Sequence, residues 1–194
     1  LLPFHGASRS PGVRASPRCK AGSSGAAGAR SPSPERGLAA EGADLLDVGG
    51  ESPRPGAEPV PADEEIRRVC PVVERLAASG YALPVSVDTS KAEVARAALA
   101  AGAAMVNDVR GLADPELAEV VARAGVPVVL MHLRGTPRDM QARAAYGDVA
   151  AEVRDELAEA QRRAERAGVS RDQTILDPGI GFAKTATQSL EVLA

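Results

Sequence analysis

The chain has 194 residues, enough for one domain with a substantial core, and its 44% hydrophobic and 25% charged residues are those of a soluble globular protein. Aromatic residues make up only 2%, so the core must be built from Ala, Val and Leu, and the exposed rings that stack on bases are scarce. A net charge of −3 gives no overall attraction to nucleic acid or to a membrane surface, no apolar run nears the ~20 residues of a membrane span, and Cys19 and Cys70 lie in contexts too different for a disulfide framework.

The charge is unevenly spread. Residues 1–40 hold Arg9, Arg14, Arg18, Lys20, Arg30 and Arg36 against Glu35 alone, a surplus of five, so residues 41–194 carry −8 of a total of −3. Residues 1–36 are rich in Ser, Pro, Gly and Ala and show neither a helical nor a strand period. Such a segment buries too little apolar surface to offset its chain entropy and is expected to be disordered. A transit peptide is a second reading, since the segment is rich in Arg and Ser and poor in acids, and a stretch of non-native sequence is a third, since the chain starts with Leu1 rather than Met.

From residue 37 short apolar runs alternate with amphipathic segments. "ADLLDV" (43–48) reads as a buried strand. Residues 61–79 read as a helix with Ile66, Val69, Val73 and Leu76 on one face and a kink at Pro71. "PVSVD" (84–88) is a strand, and Ser90 with Glu93 forms a capping box for a helix ending near Gly102. "AMVND" (104–108) is a strand. Asp114 and Pro115 open a helix that Gly125 closes. "PVVLMH" (127–132) is a strand. Residues 148–167 form a helix with Val149, Val153 and Leu157 four apart, ended by Gly168. "TILD" (174–177) is the fifth strand, followed by "PGIGFAKT". This alternation predicts a parallel α/β sheet, either doubly wound or part of a (β/α)8 barrel.

Each strand runs into a polar residue: Asp47, Asp88, Asn107 with Asp108, His132 and Asp177. In a parallel sheet these ends share one rim, where barrel enzymes place their chemistry. Singly, each could be a helix cap or turn former. Together they suit a flat heterocycle with several N–H groups and a carbonyl, because Asp accepts while Asn both gives and accepts. No Cys/His cluster at metal spacing, nucleophile elbow, Walker loop or dinucleotide fingerprint is present. "GGESPRPG" (49–56) holds Arg54 between two prolines, a stiff mount for a planar phosphate-binding fork, or simply a turn with a solvated Arg. "DPGIGFAKT" offers glycines for close approach and the cation of Lys184, or a turn with a surface lysine. Met131 and Phe182 could face a ring or belong to the core.

The segments "DLLDVGGESPRPGA", "PVSVDTSK", "VNDVRGL", "VVLMHLRGTPRDMQ" and "ILDPGIGFAKT" together resemble the dihydropteroate synthase family, over about residues 37–190. The resemblance implies a (β/α)8 barrel of the TIM type, here incomplete with about five βα units. It implies the condensation of 6-hydroxymethyl-7,8-dihydropterin pyrophosphate with p-aminobenzoate to 7,8-dihydropteroate and pyrophosphate, in folate biosynthesis, with Mg2+ assisting. By position, Asp88, Asn107, Met131 and Asp177 match pterin-binding residues, with Asp88 and Asp177 as the catalytic pair. Ser52, Pro53, Arg54 and Pro55 match the loop on the pyrophosphate and aminobenzoate side, and Phe182 lines the aminobenzoate side. Pro53 stands where the family usually has Thr and offers no donor, so weakened pyrophosphate-ester binding is expected.

The family's first strand and loop, which bear the metal-linked Asn, have no counterpart in residues 1–36, and strands seven and eight are not matched either. No metal ligand is therefore assigned, and the chain alone is expected to be unstable or inactive. The partners implied are the small-molecule substrates and a second copy in a homodimer, with no nucleic acid and no membrane, in the cytoplasm. Two alternatives stay open: a non-catalytic pterin-binding remnant, and a pterin-dependent methyltransferase, which would need no pyrophosphate loop.

Overall fold

A computed structural model describes residues 43–52, 57–78 and 83–194. The low-complexity segment 1–36 lies outside them, as do Pro53, Arg54 and Pro55. Five short strands, β1 (Leu46–Gly49), β2 (Val85–Asp88), β3 (Met105–Asp108), β4 (Val128–Met131) and β5 (Thr174–Asp177), form one sheet in sequence order. Every neighbouring pair is parallel. The helices between and after them are α1 (Ala62–Ala78), α2 (Ala92–Ala100), α3 (Pro115–Ala124), α4 (Val149–Arg166) and α5 (Ala186–Leu193). Sequential order with a helix after each strand is the barrel-type arrangement rather than the doubly wound one, whose strand order reverses.

Side chains alternate across each strand. Leu46, Val87, Val106, Val128 and Leu130 turn outward and join Val69, Val73 and Leu76 of α1, Val94, Ala95 and Ala98 of α2, and Leu117 and Val121 of α3 in one apolar core. Among the described residues this core holds no aromatic ring, in keeping with a composition poor in them. It packs closely because α2 offers Ala92, Ala95 and Ala98 to its neighbours. A second cluster joins Val149, Val153 and Leu157 of α4 to Tyr146 and Val192.

Several local expectations hold. Asp114 accepts from Glu116 N at 2.9 Å, Pro115 takes the first helical position, and Gly125 closes α3 in the left-handed region with φ 67°. One does not. Lys91, not Ser90, stands at the cap of α2 and makes no side-chain cap bond. Ser90 Oγ donates to Asp108 Oδ1 instead, because a buried carboxylate is a stronger acceptor demand than a helix end open to water. In α1, Ile66 packs partly buried against the core beside Val69, Val73 and Leu76 as expected, and Glu65 is fully buried on the same stripe. The helix continues through Pro71. No helix among the described residues is long and apolar enough to cross a membrane.

Candidate active site

The inward parity of the strands carries the polar residues. Asp47 and Gly49 of β1, Ser86 and Asp88 of β2, Met105 and Asn107 of β3, Val129 and Met131 of β4, and Ile175 and Asp177 of β5 face away from the helices. The register sets Asp88 beside Asn107 and Met131 beside Asp177. It also sets Asn107 beside Val129, so the Met131–Asp177 pair sits one inward step further along the strands. Asp88, Asn107, Met131 and Asp177, all expected at the site, are thus brought onto one face. Asp108 is not: it has the outward parity, is 1% exposed, and accepts from Arg110 N at 2.9 Å and Leu112 N at 2.7 Å. It shapes the turn after β3.

Asp47 lies one inward step below Gly49, inside β1 rather than at its end. Its Oδ2 accepts from Asn107 Nδ2 at 3.1 Å, across the intervening β2. That contact spends one amide proton of Asn107 and leaves its carbonyl oxygen to point elsewhere on the face. Among the described residues, Asp47 Oδ1 and the neighbouring Ser86 Oγ are buried without a well-aligned hydrogen-bond partner, though the Ser86 hydroxyl beside Asp47 still favours its ionised form. Burial holds the Asp47 carboxyl above the usual carboxylate range. Asp88 is pushed up to about 7, first by burial and then by the charges of Asp47, Glu65, Asp108 and Glu51. This face is acidic, partly dry and under-satisfied, which suits a ligand that brings N–H donors.

The loop after β1 is anchored from behind. Lys91 Nζ bridges Glu51 and the fully buried Glu65 of α1. Glu51 Oε2 also accepts from Val60 N at 3.1 Å. The two flanks of residues 53–56 are therefore tied to each other. Gly50 is needed there, since a Cβ would meet Glu65 Cγ at 2.8 Å. Ser52 is described, and Arg54 with its two prolines is not.

The loop after β5 departs most from expectation. Lys184 is 3% exposed and is no surface lysine. Its Nζ donates to His132 Nδ1 at 2.9 Å, Gly179 O at 3.2 Å and Phe182 O at 3.1 Å. Burial brings its pKa down to about 8, and burial with Lys184 nearby holds His132 below its usual value. Asp177 Oδ1 accepts from Gly179 N at 2.7 Å, which starts the turn that carries the partly buried Phe182.

Among the described residues no group of three or more His, Cys, Asp or Glu is placed to hold a metal ion. No chemical step is routed through the magnesium that the resemblance implies. A groove between α4 and α5, lined by Val153, Arg154, Leu157, Leu176, Pro178 and Val192, is largely apolar.

Sequence reasoning missed Glu51, Glu65, Lys91, the bond between Asn107 and Asp47, and the buried role of Lys184. One signal was available: a Glu four residues before Val69 lies on the apolar stripe of α1, and a charge there needs a buried partner.

A family model described as "Pterin binding enzyme" matches residues 34–194. The chain is 46% identical to dihydropteroate synthase of Escherichia coli strain K12 over 153 residues, which is 79% of this chain and 54% of that protein. It is similar to a solved Xanthomonas albilineans dihydropteroate synthase with 4-aminobenzoic acid, with a TM-score of 0.76 and 52% identity, covering 82% of this chain and 56% of that one. The same enzyme in complex with indole-2-carboxylic acid and 6-chloroguanine matches with a TM-score of 0.74 and 51% identity, covering 82% and 55%. The chain spans about half the length of these relatives.

Proposed function

The chain belongs to the pterin-binding enzyme family, and from that premise we propose that it serves the dihydropteroate synthase reaction, a transferase step of folate biosynthesis, with the pterin-binding unit in residues 37–194. The observation that supports it best is the inward face itself: Asp88, Asn107 and Asp177 on three strands, with Met131 alongside. A pterin ring offers ring and amino N–H groups to the carboxylates and a carbonyl to the remaining Asn107 proton.

Asp88 and Asp177 are the catalytic pair in this reading. As pyrophosphate leaves the dihydropterin, positive charge develops on the pterin methylene, and fixed carboxylates nearby stabilise it. The arylamine attacks from the side lined by Phe182. Ser52, Pro53, Arg54 and Pro55 belong to the leaving-group side, where the Arg54 fork is suited to phosphate oxygens. The loop's loss of the usual Thr at Pro53 weakens that hold. The substrates are the partners, a homodimer is the assembly, and the cytoplasm is the location.

The test is titration of the 194-residue chain with 7,8-dihydropteroate by calorimetry, for wild type, Asn107→Ala and Asp177→Asn. Each substitution is expected to weaken binding by about tenfold or more, the scale of one lost charge-assisted hydrogen bond. Equal affinity in all three would sink the assignment. Methyl transfer from a methylated pterin, with no pyrophosphate release from the pyrophosphate ester, would favour the methyltransferase instead.

A further inference from the structure

Lys184 and the side chains around it form a closed circuit that the proposed chemistry does not use. The loop after β5 turns on three residues with positive φ: Gly179 at 65°, Gly181 at 83° and Ala183 at 49°. Such a path aims successive carbonyls inward and leaves them needing a donor. Lys184 supplies it at Gly179 O and Phe182 O. Its third bond goes to His132, at the end of β4. An ammonium can only donate, so His132 Nδ1 accepts and the imidazole proton sits on Nε2. From there it donates to Glu156 Oε2 of α4 at 3.0 Å.

Glu156 accepts in turn from Arg134 Nε at 3.0 Å. The Arg134 guanidinium lies 3.9 Å over the Tyr146 ring. Tyr146 Oη donates to Ala183 O at 2.8 Å, back in the same loop. The circuit thus joins the end of β4, one face of α4 and the loop after β5. Tyr146 holds that loop from outside, and Lys184 holds it from within, at the carbonyl of Phe182 itself.

We propose that Lys184 is a positioning residue for the aromatic-amine side of the site, setting Phe182 through the loop carbonyls and His132. The ligand class concerned is the arylamine half of the reaction, so this part rests on the function proposed above. The pterin half depends on it less, because strand pairing fixes the backbones of Asp88, Asn107, Met131 and Asp177, and among these four only the Asp177 carboxylate accepts from the loop, at Gly179 N.

The experiment has two arms on the full 194-residue chain. In the first, which needs no ligand, amide hydrogen exchange is followed by NMR in wild type and Lys184→Met. Phe182 N, bonded to Gly179 O at 3.0 Å, is expected to exchange about tenfold faster in the variant, while the amides of β4 and β5 change by less than about threefold. The long-range imidazole spectrum of His132 should report an Nε2–H tautomer in wild type and a raised pKa in the variant, where the neighbouring cation is gone. Unchanged Phe182 exchange, or an Nδ1–H tautomer in wild type, overturns the proposal.

In the second arm, Lys184→Met should lose about tenfold or more in affinity for 7,8-dihydropteroate and hold its affinity for 6-chloroguanine within about threefold. An equal fall for both ligands means a merely structural lysine and overturns the proposal. Should wild type bind neither ligand, the proposed function fails while the exchange arm still decides the role of Lys184. If Lys184→Met does not fold, Tyr146→Phe takes its place. It keeps the ring under Arg134, removes only the bond to Ala183 O, and should give the same selective pattern at about threefold.

Discussion

At the inner end of β2, Asp88 is largely withdrawn from water and surrounded by other acids, which together bring its pKa to about 7. A carboxyl whose folded value lies above its unfolded value of about 4 adds stability at low pH and loses it as pH rises through 7. Asp88→Asn should therefore raise stability at pH 8 by about 2 kcal/mol or more and flatten the pH profile between about 4 and 7, read from urea denaturation. A profile unchanged by the substitution would place the pH sensitivity elsewhere. Binding has the opposite sign. A ring that donates N–H groups needs the ionised carboxylate, so 6-chloroguanine affinity should fall as pH drops below 7, with a proton released on binding near neutrality. Affinity independent of pH from 5 to 8 would show that Asp88 does not accept from the ring. The residue types at Asp88, Asn107 and Asp177 were legible because polar groups at strand ends stand out against Val-rich strands. Asp47 stood out in the same way, but its bond with Asn107 did not, because that partner lies two strands away and no local spacing reveals the pairing.

The connections depend on ions buried between the helices. Glu65 of α1 is fully buried, and its partner Lys91 also holds Glu51 in the loop after β1. Lys91→Met leaves a buried carboxylate without a cation, which typically costs 3–5 kcal/mol. Lys91 keeps 28% of its side chain exposed, so about 2–3 kcal/mol is the expected loss. The double variant Lys91→Met with Glu65→Leu should recover most of it. A loss under about 1 kcal/mol, or no recovery in the double variant, would show that the cluster does not anchor the loop. The same elements mark where sequence reading succeeds. Asp114, Pro115 and Gly125 bound α3 as their chemistry dictates, because nothing nearby competes for them. Ser90 failed as a cap because the buried Asp108 competes for its hydroxyl. Lys184 failed as a surface residue because its loop has three left-handed turns, one at the non-glycine Ala183, that composition does not reveal.

For the molecule as a whole, the alternation of apolar runs and amphipathic segments announced a parallel α/β sheet but left the doubly wound and barrel orders both open; the sequential order β1 to β5 separates them, and the register follows from parity. A one-residue slip would turn Val87, Val106 and Leu130 inward and bury Asp88 and Asn107 among the helices, so the core itself selects the polar face. What the pattern could not supply was the coupling between units. Lys91 links the loop after β1 to α1 and α2, and Lys184 links the loop after β5 to β4 and α4. Both are long-range bonds made by lysines that look like ordinary surface charge in the sequence. Each holds a loop and leaves the strands to hold the ring-binding residues. The division is the basis for expecting separate effects on the two halves of the ligand.

The central claim is that the ring of the substrate lies on the inward face of β2 to β5. The most direct measurement is a two-dimensional amide NMR titration of the 194-residue chain with 6-chloroguanine. The largest shifts are expected at Asp88, Asn107, Met131 and Asp177, with Asn107→Ala abolishing them. Shifts confined to the apolar groove between α4 and α5, around Val153, Leu176 and Val192, would contradict it.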